Sequence, residues 1–377
     1  MTSKEDNLSL LSFGNYVSNK VDGFLKSLLK NIFKFDKDIT NFIGNHPVNL
    51  TKHNVNLLFE QDYFVCEKTD GIRAFLLCIK SELFFYDRTN KFVKIEKIAF
   101  DSNSIYVFDG EIHYNTRKKH YSYAIFDMII FSNINFTKYN LNKRLDCANN
   151  FVKKMWPVKA KNIESENFVG FTIYLKCFLK AYAFKQILDN LSLLSHKNDG
   201  LIFTPINSAY EFYTRSQILK WKPPHLQTID FIVESSEIPF IYNLLCVFEG
   251  RQMEQMYTQE ITKKEKISLL SCKTNRKIAE WQTFDAGAKE YEGKICEFFY
   301  DEDKIIMGID GCVEIKGGWE LYKIRNDKTE PNNITVVLSQ MNSVDSLINE
   351  TDFLEISKQI KNTMVSRDNI SKKNQIT

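Results

Sequence analysis

Apolar and polar residues alternate along this chain with two different periods, one typical of helices and one of strands. Between residues 21 and 33 apolar side chains recur every three or four positions, which predicts an amphipathic helix near the N-terminus. From about residue 57 to 131 short apolar runs are separated by polar or glycine-bearing turns, which predicts an antiparallel or mixed sheet. Those runs are Tyr63–Cys66, Ala74–Ile79, Leu83–Tyr86, Ile105–Phe108 and Tyr121–Phe131.

The next region returns to helical spacing and then to a strand. Residues Phe178–Leu194 carry an apolar stripe and are predicted to form a second helix. Asn198-Asp199-Gly200 has turn composition and is predicted to end that helix, and Leu201–Phe203 resumes a strand. Pro223-Pro224 is the strongest break in the chain, because proline cannot donate to a sheet or continue a helix. We therefore predict a domain boundary just beyond it.

A second set of short strands follows the two prolines. Five or so strands in about a hundred residues fit a small β-barrel of the OB-fold type. The predicted strands are Phe231–Val233, Leu244–Phe248, Ile278–Phe284, Lys294–Phe299, Ile305–Ile309 and Glu320–Ile324. Residues 343–366 show helical spacing again and are predicted to form a helix that docks on the chain, whereas the polar end at 367–377 is predicted to be disordered.

These patterns together predict an α+β protein with a large mixed domain and a smaller barrel. The predicted ranges are residues 1–228 for the large domain, 229–333 for the OB-fold barrel and 334–377 for the helix and polar tail. At 377 residues the chain is long enough for two buried cores. The thirty phenylalanines and seventeen tyrosines favour sheet-rich cores and could also supply stacking surfaces for bases.

Charge and cysteine content restrict the classes of protein that this chain can be. The net charge is only +3, so any site for a polyanion must be a local cluster such as Arg117-Lys118-Lys119-His120 or Lys153-Lys154. Runs of this kind are more often solvated faces, which is the default interpretation of both clusters. The eight cysteines show no metal-ligand spacing, which favours a reducing compartment without disulfides or structural zinc. No secretion signal and no membrane-spanning run is present, so no membrane partner is expected.

The chemistry-bearing residues begin with Lys68-Thr69-Asp70-Gly71-Ile72-Arg73, which lies between two predicted strands. A lysine held there by sheet backbone, with a carboxylate and a guanidinium close by, is a candidate covalent nucleophile. An amine attacks only when it is deprotonated, so burial or neighbouring cations must favour the neutral form. The hexapeptide alone also fits a surface lysine in a turn.

Five further motifs follow in order along the chain. They are Asp109-Gly110-Glu111, Tyr123-Ala124-Ile125-Phe126-Asp127, Lys197-Asn198-Asp199-Gly200-Leu201-Ile202-Phe203, Leu219-Lys220-Trp221-Lys222-Pro223 and Arg325-Asn326-Asp327-Lys328. The ordered set resembles the covalent nucleotidyltransferases, the superfamily of capping enzymes and polynucleotide ligases, and its details are most similar to the mRNA guanylyltransferases. The resemblance spans residues from about 60 to 330.

The resemblance implies a role for each motif residue. Lys68 would attack the α-phosphorus of GTP to form a lysyl-N-GMP, with Lys220 and Lys222 holding the α-phosphate. Two lysines that are separated by one residue on a strand point to the same face, so these two could converge on one ligand. Glu111 would lie near the lysine or the ribose, Arg73 would donate to ribose hydroxyls, and Phe126 would stack on the purine. Taken alone, Phe126 fits an ordinary core position better, so its assignment rests on the family pattern.

The remaining roles implied by the resemblance concern phosphate and metal. Asp199 would close the pocket and support the lysine or a metal, Arg88 would bind phosphate, and Asp230 would serve the required Mg²⁺ or Mn²⁺. Arg325, Asp327 and Lys328 lie on the predicted barrel, and closure of the barrel would deliver this group to the β- and γ-phosphates of GTP. In isolation these last charges fit a solvated turn.

Two alternatives to a capping guanylyltransferase remain at this point. An ATP-dependent RNA or DNA ligase shares the Lys-x-Asp-Gly motif and the lysyl-nucleotide step, and nothing in the motifs reads guanine directly. A catalytically inactive scaffold would have lost charged groups, yet every expected acid and base is present. The capping reading implies a 5′-diphosphate RNA acceptor, a separate RNA 5′-triphosphatase, docking on the phosphorylated C-terminal domain of RNA polymerase II, and a nuclear location.

Overall fold

The fold described here is that of a computed structural model. It describes residues 8–96, 98–162, 170–223, 226–249, 273–307, 314–325, 328–341 and 348–374. The chain divides into two compact units, one formed by residues up to Trp221 together with the segment from Glu350 onward, and the other by Lys222–Asn349. The fold is α+β, as predicted. No helix in the described ranges is both long and apolar enough to cross a membrane.

The first unit contains two main sheets and a short two-stranded ladder. Its strands are β1 (Gly14–Tyr16), β2 (His46–Asn49), β3 (Tyr63–Thr69), β4 (Ile72–Ile79), β5 (Glu82–Asp87), β6 (Phe92–Ile95), β7 (Ile98–Phe100), β8 (Tyr106–Asn115), β9 (His120–Phe131), β10 (Ile134–Asn135), β11 (Ala160–Asn162), β12 (Phe171–Leu175), β13 (Leu179–Lys180), β14 (Asn198–Pro205) and β15 (Thr214–Trp221). The larger sheet has the order β1-β6-β5-β4-β8-β9-β10, with β12 parallel to β9, and the second has the order β13-β3-β14-β15-β2.

The helices of the first unit are α1 (Asn19–Phe33), α2 (Leu57–Glu60), α3 (Leu141–Asn150), α4 (Trp156–Lys159) and α5 (Phe184–Leu188). Helix α6 (Ile334–Met341) belongs to the second unit, and α7 (Glu350–Asn374) belongs to the first. The predicted N-terminal helix is confirmed as α1, whose N-terminus is capped by the Ser18 hydroxyl. Its apolar face places Leu25 and Leu29 in the core on one side of the larger sheet.

Strand β4 explains why the larger sheet is buried on both faces. The run Ala74-Phe75-Leu76-Leu77-Cys78-Ile79 is continuously apolar, which is typical of a strand covered on both sides. Successive side chains point to opposite faces, so Leu76 enters one core and Leu77 the other. The polar residue at the head of this strand, Arg73, therefore lies at the edge of two apolar layers.

The predicted helix over Phe178–Leu194 is wrong. Leu179–Lys180 forms β13, which pairs with the edge of β3, and only Phe184–Leu188 forms an α-helical segment. Phe184 is buried in the interior, whereas the residues of the predicted stripe are only partly buried: Tyr182, Ile187, Leu191 and Leu194. Pairing with a free strand edge at Leu179 competes with the weak helical preference of this segment.

The second unit is a five-stranded antiparallel sheet, in agreement with the predicted strand-rich region. Its strands are β16 (Thr228–Ser235), β17 (Ile241–Glu249), β18 (Lys273–Gln282), β19 (Ile295–Met307) and β20 (Glu314–Ile324), in the order β18-β17-β16-β19-β20. The outermost strands β18 and β20 approach each other, which curls the sheet toward a barrel. The predicted strands Lys294–Phe299 and Ile305–Ile309 are joined in the single strand β19. The acidic residues Asp301-Glu302-Asp303 between them form an irregularity in the ladder with β20 and do not end the strand.

The C-terminal helix returns to the first unit. The predicted helix is confirmed for residues 350–366, although Val344 and Leu347, which were part of its predicted stripe, lie outside the described residues. Phe353 of α7 is fully buried against Phe184 and against Trp221 at the end of β15. The prediction of disorder from residue 367 is wrong as far as Asn374, because the helix continues and Arg367 is bonded to Asp62 near α2.

Candidate active site

Lys68 lies near the end of β3 and borders a cavity in the first unit. Because side chains alternate along a strand, Cys66 and Lys68 project from the same face, and both line this cavity. The Lys68 side chain is 23% exposed, so it is neither enclosed nor free in bulk solvent. The predicted nucleophile is thus held by sheet backbone at the wall of a concave site.

Asp199 is the direct partner of Lys68. Its Oδ1 lies 2.5 Å from Lys68 Nζ, across the pairing of β14 with β3. The ladder between these strands is irregular at this point, and Gly200 has a φ of 147°, which side chains other than glycine rarely adopt. The sequence Asn-Asp-Gly therefore forms a bulge that brings the carboxylate to the amine.

Glu111 lies on β8, where it pairs in register with Arg73 of β4 and borders the same cavity. Its Oε1 accepts a hydrogen bond of 3.0 Å from the backbone amide of Gly71, within the Lys-x-Asp-Gly turn. Burial raises the pKa of Glu111, and the charges of Lys176 and Lys68 oppose that rise. The electrostatic influence of Lys68 on this carboxyl places the predicted acid and the predicted nucleophile in one site.

Most of the hydrogen-bond donors of Arg73 are already bonded to other protein groups. Its Nε and one terminal nitrogen form a two-point pair with Asp109 at 3.0 and 2.7 Å. The backbone and side chain of Asn45 accept two further hydrogen bonds at 2.5 and 2.9 Å. Arg73 borders the cavity, but four of its five N–H groups are committed, so its predicted donation to ribose depends on the remaining one.

Phe126 supplies an aromatic ring to the cavity lining, and Lys176 lies beside that ring. The Arg73 guanidinium carbon lies 5.2 Å from the Phe126 ring centre, and Lys176 Nζ lies 6.0 Å from it. Lys176 Nζ also donates to the Glu67 carbonyl at 2.9 Å and lies 3.4 Å from the Glu67 carboxylate. Burial alone would lower the pKa of Lys176, but Glu67 raises it above the ordinary value, so this ammonium stays charged.

Two further predicted cations border the same region. Arg88 is exposed at the cavity lining and makes no hydrogen bond or ion pair with any described residue. Lys220 on β15 is in register with Ile202, which in turn is in register with Cys66, so all three side chains share the cavity face of the second sheet. Burial lowers the pKa of His46, and the neighbouring charges of Arg88 and Lys220 lower it further.

The other predicted site residues belong to the second unit. The Asp230 carboxylate is 3.0 Å from Arg325 Nη1 and also pairs with Lys328. In the described state this carboxylate is engaged by two cations, and its predicted metal role remains a prediction. The carbonyl of Lys222 accepts a hydrogen bond from Gln227. Asp327 lies outside the described residues.

The sequence matches two family models that together cover most of its length. They are "mRNA capping enzyme, catalytic domain" over residues 8–224 and "mRNA capping enzyme, C-terminal domain" over residues 226–354. The chain belongs to the mRNA capping enzyme family. Both the cavity with Lys68 and the five-stranded second unit fall within the matched ranges.

Relatives within the mRNA capping enzyme family are similar over nearly the whole chain. The mRNA-capping enzyme subunit alpha of Kluyveromyces lactis is 25% identical, over 91% of this chain and 83% of the relative. The protein of the same name from Schizosaccharomyces pombe is 27% identical, over 86% of this chain and 82% of the relative. Among solved structures, the ligase domain of M. tuberculosis LigD gives a weak likeness, with a TM-score of 0.36 and 14% identity over 76% of this chain and 95% of that one.

Sequence reasoning missed several residues that complete this capping-enzyme cavity. Asn45 and Pro47 line it from the N-terminal region, for which no function was predicted, and Lys176 lines it from the end of β12. A lysine inside Tyr174-Leu175-Lys176-Cys177-Phe178 interrupts an apolar run, and this signal could have marked Lys176 as a buried functional charge. Thr69 also borders the cavity, and its buried hydroxyl has no hydrogen-bond partner among the described residues.

The carboxylates of the cavity fit a metal bound mainly through substrate. No cluster of three or more metal-ligating side chains occurs in the described parts of the chain. Mg²⁺ at nucleotide sites is usually held by one or two carboxylates and by substrate phosphates. Glu111 at the cavity lining and Asp199 beside Lys68 offer such carboxylates. When bound there, the ion would supply positive charge to the phosphates.

His113, two residues after Glu111 on β8, forms a ring pair with His196. This pair is predicted to make the stability of the capping enzyme depend on pH. His113 is buried, its Nε2 is 3.0 Å from the Tyr174 hydroxyl, and its ring centre is 4.3 Å from that of His196. Burial and the neighbouring His196 lower the pKa of His113 to about 3. The folded protein therefore keeps this imidazole neutral well below the pH at which the unfolded chain protonates it.

We expect the free energy of unfolding to fall as the pH drops from about 6.5 toward 3, because the unfolded state binds the His113 proton first. The slope from one such group approaches about 1.4 kcal/mol per pH unit. Urea unfolding at several pH values should show a flatter slope for His113→Phe than for wild type, and no such change for the exposed control His53→Phe. Identical slopes for wild type and His113→Phe would refute this role of His113.

Proposed function

We propose that this protein is an mRNA guanylyltransferase, which transfers GMP from GTP to the 5′-diphosphate end of RNA. The observation that carries the proposal is the arrangement of Lys68 at the wall of a cavity, 2.5 Å from Asp199 and close to Glu111 and Phe126. Membership of the mRNA capping enzyme family supports the same reaction. The predicted order of motifs agrees with this arrangement.

The first step forms one bond and breaks one. Lys68 Nζ attacks the α-phosphorus of GTP, a P–N bond forms, and the bond from the α-phosphorus to the bridging oxygen breaks, so that pyrophosphate leaves. Asp199 Oδ1 is placed to accept the proton that the amine loses. The charges of Arg88 and Lys220 lie on the cavity side and would stabilise the negative charge that builds up on the phosphates.

The second step restores the lysine. A terminal β-phosphate oxygen of the RNA diphosphate attacks the phosphorus of lysyl-GMP, and the P–N bond breaks. The amine leaves with a proton returned by Asp199, and a GpppN cap is formed on the RNA. Glu111, which is bonded to the Gly71 amide, fixes the turn that carries Lys68 through both steps.

Lys176 gives a physical reason for choosing GTP over ATP. Its ammonium has two contacts with Glu67 and lies beside Phe126, so a purine stacked on that ring would present its edge to the remaining N–H. Guanine offers two adjacent acceptors, N7 and O6, whereas adenine places an amino donor beside its N7. A cation that only donates therefore favours guanine.

The choice of nucleotide can be measured with α-labelled GTP and ATP in the presence of Mg²⁺ or Mn²⁺. We expect acid-labile, alkali-resistant label on the denatured chain from GTP and a much lower yield from ATP, followed by transfer to 5′-diphosphate RNA. Label from ATP alone would support the ligase alternative. A folded protein that takes label from neither nucleotide would contradict catalysis of this kind altogether.

Partners and location follow from the proposed reaction. The relatives are named subunit alpha, which fits an enzyme assembled from more than one subunit. We propose that a separate RNA 5′-triphosphatase supplies the diphosphate end. Docking on the phosphorylated C-terminal domain of RNA polymerase II and a nuclear location are further parts of the proposal.

A further inference from the structure

The turn between β8 and β9 carries a cluster of cations that the proposed chemistry does not use. Arg117, Lys118 and Lys119 are consecutive and exposed at this hairpin tip. Neither lysine forms an ion pair with an acidic residue in the parts of the chain that the structure describes, and the Arg117 side chain donates to a backbone carbonyl. Because the whole chain carries a net charge of only +3, such a cluster is a distinct local feature.

The hairpin tip is fixed to the loop that runs toward the active site. The Thr116 amide donates to the Ser195 carbonyl at 2.7 Å, and the Thr116 hydroxyl donates to the same oxygen at 3.0 Å. The Arg117 guanidinium donates to the Leu193 carbonyl at 2.5 Å. These three hydrogen bonds hold the basic turn against residues 193–195.

The other end of that loop contacts the nucleophile. The Asp70 amide donates to the Lys197 carbonyl at 2.9 Å, and Asp199 is bonded to Lys68. Five residues lie between Leu193 and Asp199, so the Cα atoms of these two residues are at most about 22 Å apart even if the loop is fully extended. The basic turn is bonded at one end of this short loop and Lys68 at the other. A single strand of RNA whose 5′ end reaches Lys68 can therefore cover the hairpin tip with its first few nucleotides.

We propose that Arg117, Lys118 and Lys119 bind the phosphates of the acceptor RNA next to its 5′ end and guide the diphosphate to Lys68. The inference rests on the proposed guanylyltransferase function. Exposed cations without acidic partners attract the phosphate backbone without reading sequence, as an enzyme that modifies many transcripts requires. GTP needs only the cavity, so nucleotidylation of Lys68 does not depend on the hairpin.

The test compares two triple variants that lose the same charge. The hairpin variant is R117A/K118A/K119A, and the matched control is K143A/K153A/K154A, whose lysines are exposed on α3 and the helical turn that follows it. Lysyl-GMP formation from GTP is measured first. Transfer from lysyl-GMP is then measured with a 5′-diphosphate RNA of about twenty nucleotides and with a 5′-diphosphate dinucleotide, which offers the hairpin far fewer phosphates.

We expect both variants to form lysyl-GMP at the wild-type rate. Only the hairpin variant should show a KM for the long RNA raised by about tenfold at moderate salt, with transfer to the dinucleotide unchanged. Each phosphate contact in a single strand contributes about 0.7 to the slope of log affinity against log salt, so three lost contacts should reduce the slope by about 2. Conservative R117K, which keeps the charge, should retain the wild-type salt slope.

Failure of the hairpin inference and failure of the proposed function would give different results in this test. If the hairpin variant matches the control variant in KM and in salt slope for the long RNA, the inference is overturned while the proposed function stands. If wild-type protein forms no lysyl-GMP, the proposed function itself fails, and this is seen before any RNA is added.

Discussion

Replacing Lys68 with arginine is expected to abolish lysyl-GMP formation while leaving the protein folded. Arginine keeps a positive charge beside Asp199, so the contact that Lys68 makes at 2.5 Å can be retained in part. A guanidinium is not deprotonated in proteins, however, and therefore cannot attack phosphorus. The expected loss is on the order of 10⁶-fold, as for removal of other covalent nucleophiles.

The chain offers a matched control for this substitution. Lys185 on α5 pairs at 2.7 Å with Asp189, the residue that follows this helix, and both side chains are exposed. Lys185→Arg should leave both adduct yield and thermal unfolding unchanged, and Lys68→Arg should also unfold within a few degrees of wild type. Substantial GMP adduct on folded Lys68→Arg protein would show that another residue is the nucleophile.

Replacing Asp109 with alanine is expected to destabilise the first unit by about 3–5 kcal/mol, because it leaves the Arg73 guanidinium buried without its counter-charge. Asp109 is fully buried and accepts hydrogen bonds from Arg73 and, at 2.6 Å, from the Tyr210 hydroxyl. A loss of this size is a large share of the stability of a typical domain. Urea unfolding followed by circular dichroism measures it, and activity should fall with the loss of the cavity wall.

Two further variants show whether the loss comes from the buried charge. Asp189→Ala removes an exposed partner of Lys185 and should cost less than about 1 kcal/mol. The double variant Arg73→Met/Asp109→Leu removes both charges and should recover much of the stability lost in Asp109→Ala. A double variant as unstable as the single one would show that packing, and not the uncompensated charge, accounts for the effect.

The positions of several cavity residues could be predicted from sequence because each falls in a short motif with its own composition. Lys68, Glu111 and Phe126 were all predicted, and all three line one cavity. The bulge at Asn198-Asp199-Gly200 was read as a turn, and its glycine indeed adopts a backbone conformation that other residues disfavour. Local signals of this kind depend only on neighbouring residues in the chain.

The features that escaped prediction depend on contacts between distant segments. Nothing near Lys176 in sequence shows that Glu67, over a hundred residues earlier, will pair with it. Arg144 likewise forms a buried pair with Asp127, at 2.7 and 2.9 Å, that no pattern in either segment announces. The segment around Leu179 was predicted as helix because its pairing with β3 cannot be seen from its own periodicity.

Locating the GMP on the chain tests most directly whether Lys68 is the nucleophile. The protein is incubated with GTP and divalent metal, digested under mildly alkaline conditions that preserve P–N bonds, and examined by tandem mass spectrometry. We predict a single GMP modification on the peptide that contains Lys68 after incubation with GTP, and no AMP modification of that peptide after incubation with ATP. GMP attached to any other residue, with Lys68 unmodified, would contradict the proposed mechanism.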